Sequence, residues 1–201
     1  MSSLVKLYIP LYTIIFFFIA IFLKSYLQYK KTGVNPITFG HKSESAHDYI
    51  GGWFKLVLIA LFLYCVSAYF INYDKITLLN NASAQIAGVI ITISSLIMIV
   101  AAQNTMADSW RIGIDEKVKT KLVTKGLFSY VRNPIFSGMI ATVFGLFLLL
   151  PTNVMGFLFI VSIMLIGIQV RLEEEFLEKV HGKAYIEYKK NVGRFLPKII
   201  G

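Results

Sequence analysis

Two stretches of this chain place residue types at spacings that could do chemistry. The first is Lys121-Leu-Val-Thr-Lys-Gly-Leu-Phe-Ser-Tyr-Val-Arg-Asn-Pro-Ile-Phe-Ser-Gly138, with a glycine, aromatics and an Arg132-Asn133-Pro134 turn directly before an apolar run. Proline keeps Asn133 extended and suits the first position of a helix. Backbone donors at that helix start would face the loop and favour a carboxylate or a phosphate. An ordinary helix start, with Arg132 reaching toward lipid headgroups, would use the same tripeptide. The second stretch is Glu173-Glu174-Glu175 beside Arg171. Three adjacent carboxylates repel one another, so they suit a cationic ligand and predict at least one raised pKa. Solvated acidic residues in the first turn of a helix, favoured by its dipole, would look alike.

The elements that must hold these residues are membrane helices. The composition is 56% hydrophobic over 201 residues, and apolar runs long enough to cross about 30 Å of hydrocarbon recur along it. Lipid offers no partner to an unpaired backbone group, and no alternating barrel strands are present, so the fold class is all-α and polytopic. Five spans are expected, at about 7–27, 53–73, 84–102, 135–150 and 154–170. The last two are joined by Pro151-Thr-Asn153 as a hairpin, and the fourth is short for a full crossing. The first span lacks a small-residue cleavage site close behind it and is read as a retained anchor.

Basic residues concentrate on alternate sides: Lys24, Lys30, Lys31 and Lys42, then Arg111 to Arg132, then Arg171 onward, while the other side holds little beyond Lys6 and Lys75. The positive-inside rule places the N-terminus outside and the C-terminus in the cytoplasm, in the plasma membrane if the source is prokaryotic. The same bias accounts for most of the net charge of +9, and with no nucleic-acid motif present a nucleic-acid partner is not expected. The chain reads as a single membrane domain, 1–201, with cytoplasmic segments 103–134 and 171–201 framing the site.

Several features carry no chemistry in this reading. Cys65 is a lone thiol inside a span, and His41 and His47 are six apart with no Cys or Glu pattern to complete a metal site, so no metal is expected. Gly138 and Gly145 share one helical face, which suits close helix packing first and ligand contact second. After the fifth span, Leu172, Phe176, Leu177, Val180, Ala184, Tyr185, Tyr188 and Val192 recur near helical spacing over a charged opposite face. That pattern predicts an amphipathic segment on the membrane surface or over the cytoplasmic ends of the spans, broken near His181-Gly182.

In order along Lys121 to Pro197, under half the chain, these pieces resemble the isoprenylcysteine carboxyl methyltransferase family and its bacterial relatives. That family lies within the wider group that includes phospholipid methyltransferases. The pattern is Leu-Val-x-x-Gly-x-aromatic at Leu122 to Phe128, Arg-x-Pro-x-aromatic-x-Gly at Arg132 to Gly138, the glutamate cluster, Gly182-x-x-Tyr185-x-x-Tyr188, and Arg194-x-x-Pro197. The resemblance implies S-adenosylmethionine bound at the cytoplasmic face, outside any soluble Rossmann domain, and a lipophilic or small-molecule methyl acceptor among membrane lipids. It implies a chemical role for Arg132, Glu174, Arg171 and Gln169. It also implies a cofactor site from Leu122, Val123, Gly126, Phe128, Asn133, Pro134, Ile135, Phe136, Glu173, Tyr185 and Arg194. Within it, Glu173 or Glu174 would meet the ammonium or shape the field around the sulfonium. The groups from Asn133 to Phe136 would hold carboxylate or ribose, while Leu122, Val123 and Phe128 would line the adenosine. Tyr185 and Glu174 are the candidate bases for an acceptor that must lose a proton.

The chain departs from the family at Asn133, where histidine is usual, and at Phe128 and Phe136, where tyrosine is common. The arginine used there for a prenylcysteine carboxylate falls at Gln169. Arg171 is two residues on, turned by about 200° around the helix, so the methyltransferase reading stands ahead of the prenylcysteine-carboxylate one. The competing readings are an NADPH-dependent reductase of the sterol and steroid type, which the acidic run disfavours, and a non-catalytic membrane protein.

Overall fold

The structure, a computed structural model, describes residues 3–36, 46–110 and 122–198. His41, Lys42 and Arg111 to Lys121 lie outside these residues, as does the side chain of His47. The described chain is helical, with no strand among the described residues. Helix α1 runs Ser3–Thr32, α2 Ala46–Ser67, α3 Ala82–Met106, α4 Pro134–Leu149, α5 Asn153–His181 and α6 Lys183–Asn191.

Among the described residues four helices are long and apolar enough to cross a membrane: α1, the Tyr49–Ser67 part of α2, α3 and α5. The expected fourth span, α4, has 16 residues, about 24 Å of rise against a hydrocarbon thickness of about 30 Å. Two expected boundaries move. The second span does not reach residue 73: its helix ends at Ser67, whose hydroxyl donates to the Tyr64 carbonyl at 2.9 Å and pairs with the Tyr73 hydroxyl at 2.7 Å. The fifth span has no break at 170. Helix α5 continues for 29 residues, about 43 Å, so the stretch from Arg171 outruns the hydrocarbon. It stops where the sequence suggested, at Gly182, whose φ of +54° and ψ of −127° suit glycine.

Local chemistry starts these helices where they are needed. Asn81 caps α3 by accepting from the Ala84 amide at 2.9 Å, and Thr152 caps α5 by accepting from the Met155 amide at 3.1 Å. Pro134 opens α4. Helices α3 and α4 form the closest pair in the bundle because glycines remove the side chains between them. A Cβ on Gly138 would lie 2.5 Å from Ile99 Cγ1, and one on Gly145 would lie 2.7 Å from Thr92 Cγ2. The Ser95 and Thr142 hydroxyls pair across the same seam at 2.8 Å. In α1 the Phe18–Leu23 stretch widens into a π-turn, where the Gln103 amide donates to the Ala20 carbonyl at 2.8 Å.

On the other side of α4, α2 stands away and leaves an apolar crevice. One part, about 400 Å³ with its open mouth, lies among Tyr12, Phe17, Leu61, Thr142 and Val143. A second, about 260 Å³, lies among Phe54, Leu58, Ser162, Leu165 and Ile166. Met139, Leu58, Leu61 and Val143 line both. On α5 the second part is lined by Ser162, Leu165 and Ile166, about one turn before Gln169.

Candidate functional site

The turn before α4, the end of α5 and the segment after α6 meet at one end of the bundle. Asn133 sits just before Pro134 and does not cap its own helix. Its side-chain amide instead donates to Glu174 Oε1 at 3.1 Å and to the Arg194 carbonyl at 3.3 Å. The first turn of α4 therefore keeps no side-chain cap, which leaves its early amides directed at the loop.

The segment Val192–Phe195 forms a strap beside this turn. The Arg132 amide donates to the Gly193 carbonyl at 2.8 Å, and the Asn133 amide to the Arg194 carbonyl at 3.2 Å. Val131 and Gly193 thereby form a parallel bridge. Ser137 Oγ donates to the Phe195 carbonyl at 2.8 Å. The Arg132 guanidinium reaches the Lys189 carbonyl at 3.2 Å and also donates to the Val192 carbonyl. Only glycine fits at 193, since a Cβ there would run into the Leu196 carbonyl oxygen.

Glu174 ties the three segments together. It is 2% exposed. Arg132 donates to its Oε1 from Nε at 3.0 Å and pairs through Nη2 at 2.9 Å, while Arg194 donates to Oε2 from Nε at 3.1 Å and Nη2 at 2.8 Å. Burial raises the carboxyl's pKa, but the hydrogen bonds and charges of Arg194 and Arg132 outweigh it and hold the group below its ordinary value. Both oxygens are thus engaged by this chain's own cations. Tyr185, 1% exposed, lies beside the cluster, and burial followed by the Glu174 charge raises its pKa, so its phenol stays protonated. Tyr188 donates to the Phe128 carbonyl at 2.6 Å and is pushed up to about 12, mainly by burial.

Glu173, one residue earlier, has the opposite surroundings. Gln169 Nε2 donates to its Oε1 at 3.0 Å, and no arginine or lysine forms an ion pair with it among the described residues. Burial pushes its carboxyl up to about 7, with the Gln169 hydrogen bond opposing. The raised pKa expected in the glutamate cluster is therefore present, but burial is its cause in place of repulsion between neighbours. Gln169 itself is 1% exposed, and its Oε1 has no hydrogen-bond partner. Phe54, Ile166 and Val170 pack into an apolar wall beside this pair, joined by Phe136 and Phe195.

The other expected site residues divide. Asn133, Pro134 and Phe128 are buried at the junction, Ile135 and Phe136 are partly buried on α4, and Leu122 and Val123 are partly buried at the start of the same loop. Gly126 is exposed and adopts φ +59° beside Thr105, at the turn that aims Phe128 inward. Arg171 is exposed and forms no ion pair among the described residues, away from the buried Gln169 as the 200° offset requires. The residues that the sequence reading missed are Gly193, Ser137 and Phe195, which fix the strap. Their only signal was the spacing Arg194-x-x-Pro197. Among the described residues no group of three His, Cys, Asp or Glu could hold a metal.

A family model described as phospholipid methyltransferase matches residues 82–184, just over half of the chain. The chain belongs to the phospholipid methyltransferase family. The match runs from the first turn of α3 to the start of α6, so the α3/α4 pair, the Asn133 turn, Gln169, Glu173 and the buried Glu174 all lie inside it. This family stands in the same membrane methyltransferase group as the isoprenylcysteine carboxyl methyltransferases, which is the group that the motifs pointed to. A search of curated proteins finds no match. The strap and Arg194 lie beyond the matched residues, so what they contribute to this phospholipid methyltransferase family member rests on the geometry alone.

Proposed function

We propose that this chain is an S-adenosylmethionine-dependent methyltransferase that acts on a lipid acceptor at the cytoplasmic membrane face. The observation that carries the reading is the family match, because it covers the elements that converge on Asn133, Gln169, Glu173 and Glu174. The residues suit the methyl donor, which carries both a carboxylate and a sulfonium cation. The uncapped start of α4 at Ile135 and Phe136 would hold the carboxylate. The carboxyl of Glu173, which no arginine neutralises, would favour positive charge near it. Phe128, Leu122 and Val123 supply apolar contacts for the nucleoside.

When bound, the sulfonium donor supplies an activated methyl group that passes to a heteroatom of the acceptor while sulfur leaves as a thioether. The chain's own work is positioning and water exclusion. The Glu174 ion cluster locks the strap against the turn, so Asn133 and the start of α4 keep one geometry. Phe54, Phe136, Ile166 and Phe195 close the apolar side. Glu174 acts as a positioning residue, since its oxygens are taken by Arg132 and Arg194. The apolar crevice along α4 and α5 would accept an acyl or prenyl tail.

The test is thermal unfolding of the detergent-purified protein with S-adenosylhomocysteine and, separately, with NADPH, because a ligand that binds only the folded state raises its stability. A shift with S-adenosylhomocysteine alone, lost in Asn133→Ala, is expected. A shift with NADPH alone, or with neither ligand, overturns the reading.

A further inference from the structure

Beyond the strap the chain turns back on itself. A Cβ on Gly193 would meet the Leu196 carbonyl oxygen and lie 3.0 Å from the Lys198 amide nitrogen, and Lys198 Nζ donates to the Lys190 carbonyl at 2.6 Å. Leu196 therefore stands at the tip of a tight loop, 76% exposed, with Pro197 exposed beside it.

Two neighbours fix the depth of that tip. The Phe195 carbonyl accepts from Ser137 Oγ, one turn inside α4, and the Phe195 side chain packs against Phe54, Ile166 and Val170. Helix α4 has no charged residue, and α5 has none before Arg171. The uncharged part of α5, Asn153 to Val170, rises about 27 Å, close to the hydrocarbon thickness of about 30 Å. Phe195 thus lies at the edge of the hydrocarbon, and the bare face of Leu196 meets lipid there. Tyr130, 66% exposed and one residue before the Val131 bridge to Gly193, adds the kind of ring that sits at a membrane interface.

The charge around the tip is positive. From Glu178 to Lys198 the chain holds six Lys and Arg against two Glu. Lys198 has no ion pair among the described residues, and the pair of Lys190 with Glu187 is long, at 3.6 Å, and exposed at both ends, so it binds Lys190 weakly.

We propose that Leu196 to Lys198, with Lys190, is a docking surface for a bilayer rich in anionic phospholipid. Leu196 enters the acyl region while the two ammonium groups take lipid phosphates. The Gly193 and Arg194 carbonyls just before the tip hold the Arg132 and Asn133 amides, so a seated tip keeps the strap closed and an unseated one lets it open. Lipid composition then regulates the site whatever reaction it carries.

The experiment compares amide hydrogen exchange of the full chain in nanodiscs of phosphatidylcholine alone and mixed with phosphatidylglycerol, read at Arg132, Asn133 and Val192–Phe195. Each basic residue near an anionic surface is worth about five-fold, so the anionic lipid should slow exchange there by about five- to thirty-fold and leave α3 unchanged. The difference between lipids should vanish in a Lys190→Gln, Lys198→Gln double variant. Leu196→Ser should speed exchange in both lipids. Equal exchange in the two lipids, a difference that persists in the double variant, or strap exchange unchanged by Leu196→Ser overturns the proposal. The same slowing by inorganic phosphate in phosphatidylcholine nanodiscs overturns the bilayer as the partner.

Discussion

Replacing Glu174 by alanine tests the junction most directly. The carboxylate is 2% exposed and accepts from Arg132 and Arg194 through both oxygens. The side chain of Arg132 is 8% exposed, so it stays buried after the change, with the Lys189 and Val192 carbonyls and the Tyr185 hydroxyl to meet it but no counter-charge. Arg194 is 36% exposed and can turn toward water. The loss is therefore dominated by one stranded cation, at about 3–5 kcal/mol. At about 2–4 °C per kcal/mol for a chain of this size, the melting temperature should fall by about 6–20 °C. Removing Arg194 alone should cost less, about 1–2 kcal/mol, because Arg132 still satisfies Glu174. The double variant should show a coupling of about 1–3 kcal/mol. The assay is thermal unfolding in detergent, joined to amide hydrogen exchange across Val192–Phe195. A Glu174→Ala protein that melts within 2 °C of the parent by roughly the same conversion, with unchanged exchange in the strap, would refute the view that this cluster holds the site together.

Other outcomes follow from the same geometry. Glu173 has a folded pKa of about 7 against 4.5 for the ordinary group. Below 4.5 both states hold the proton; between 4.5 and 7 the unfolded chain releases it while the folded one keeps it, so stability falls through that window and levels above it. The ceiling of the loss is about 3 kcal/mol, and unfolding measured from pH 4 to 8 should lose this slope in Glu173→Gln. Gly145→Ala should destabilise by about 1–3 kcal/mol, since the new methyl meets Thr92 and the Gly88 carbonyl at 3.1 Å, and unfolding in detergent reads it. Tyr188→Phe removes the bond to the Phe128 carbonyl and should cost about 1 kcal/mol, with faster exchange in the Gly126–Ser129 turn.

What the sequence revealed was mostly local. Hydropathy located the helices, Pro134 marked the start of α4, and Gly182 marked the end of α5, because each of these signals acts within a few residues of its own position. The end of α2 was misplaced because Ile71 and Tyr73 keep the apolar average high, while the turn is made by a hydroxyl pair between Ser67 and Tyr73 that no window average records. The glutamates show the deeper gap. Glu173 and Glu174 are neighbours of one type, and only the fold decides that one faces two arginines and the other an orphaned amide. The partners of Glu174 stand 42 and 20 positions away, beyond the reach of any periodicity.

The strap also sets an order of events during synthesis. Arg132 and Asn133 give their backbone donors to the Gly193 and Arg194 carbonyls, roughly sixty residues downstream. At a synthesis rate of about 5–20 residues per second, the turn waits several seconds for its partner. Within that interval α4 and α5 are themselves synthesised, ahead of the strap, so the bundle can begin to assemble before the site does. A protein arrested in that interval would be inserted but unable to hold its ligands, and a chaperone or protease that samples the surface of the nascent protein would find Asn133 and Arg132 uncovered until Arg194 arrives.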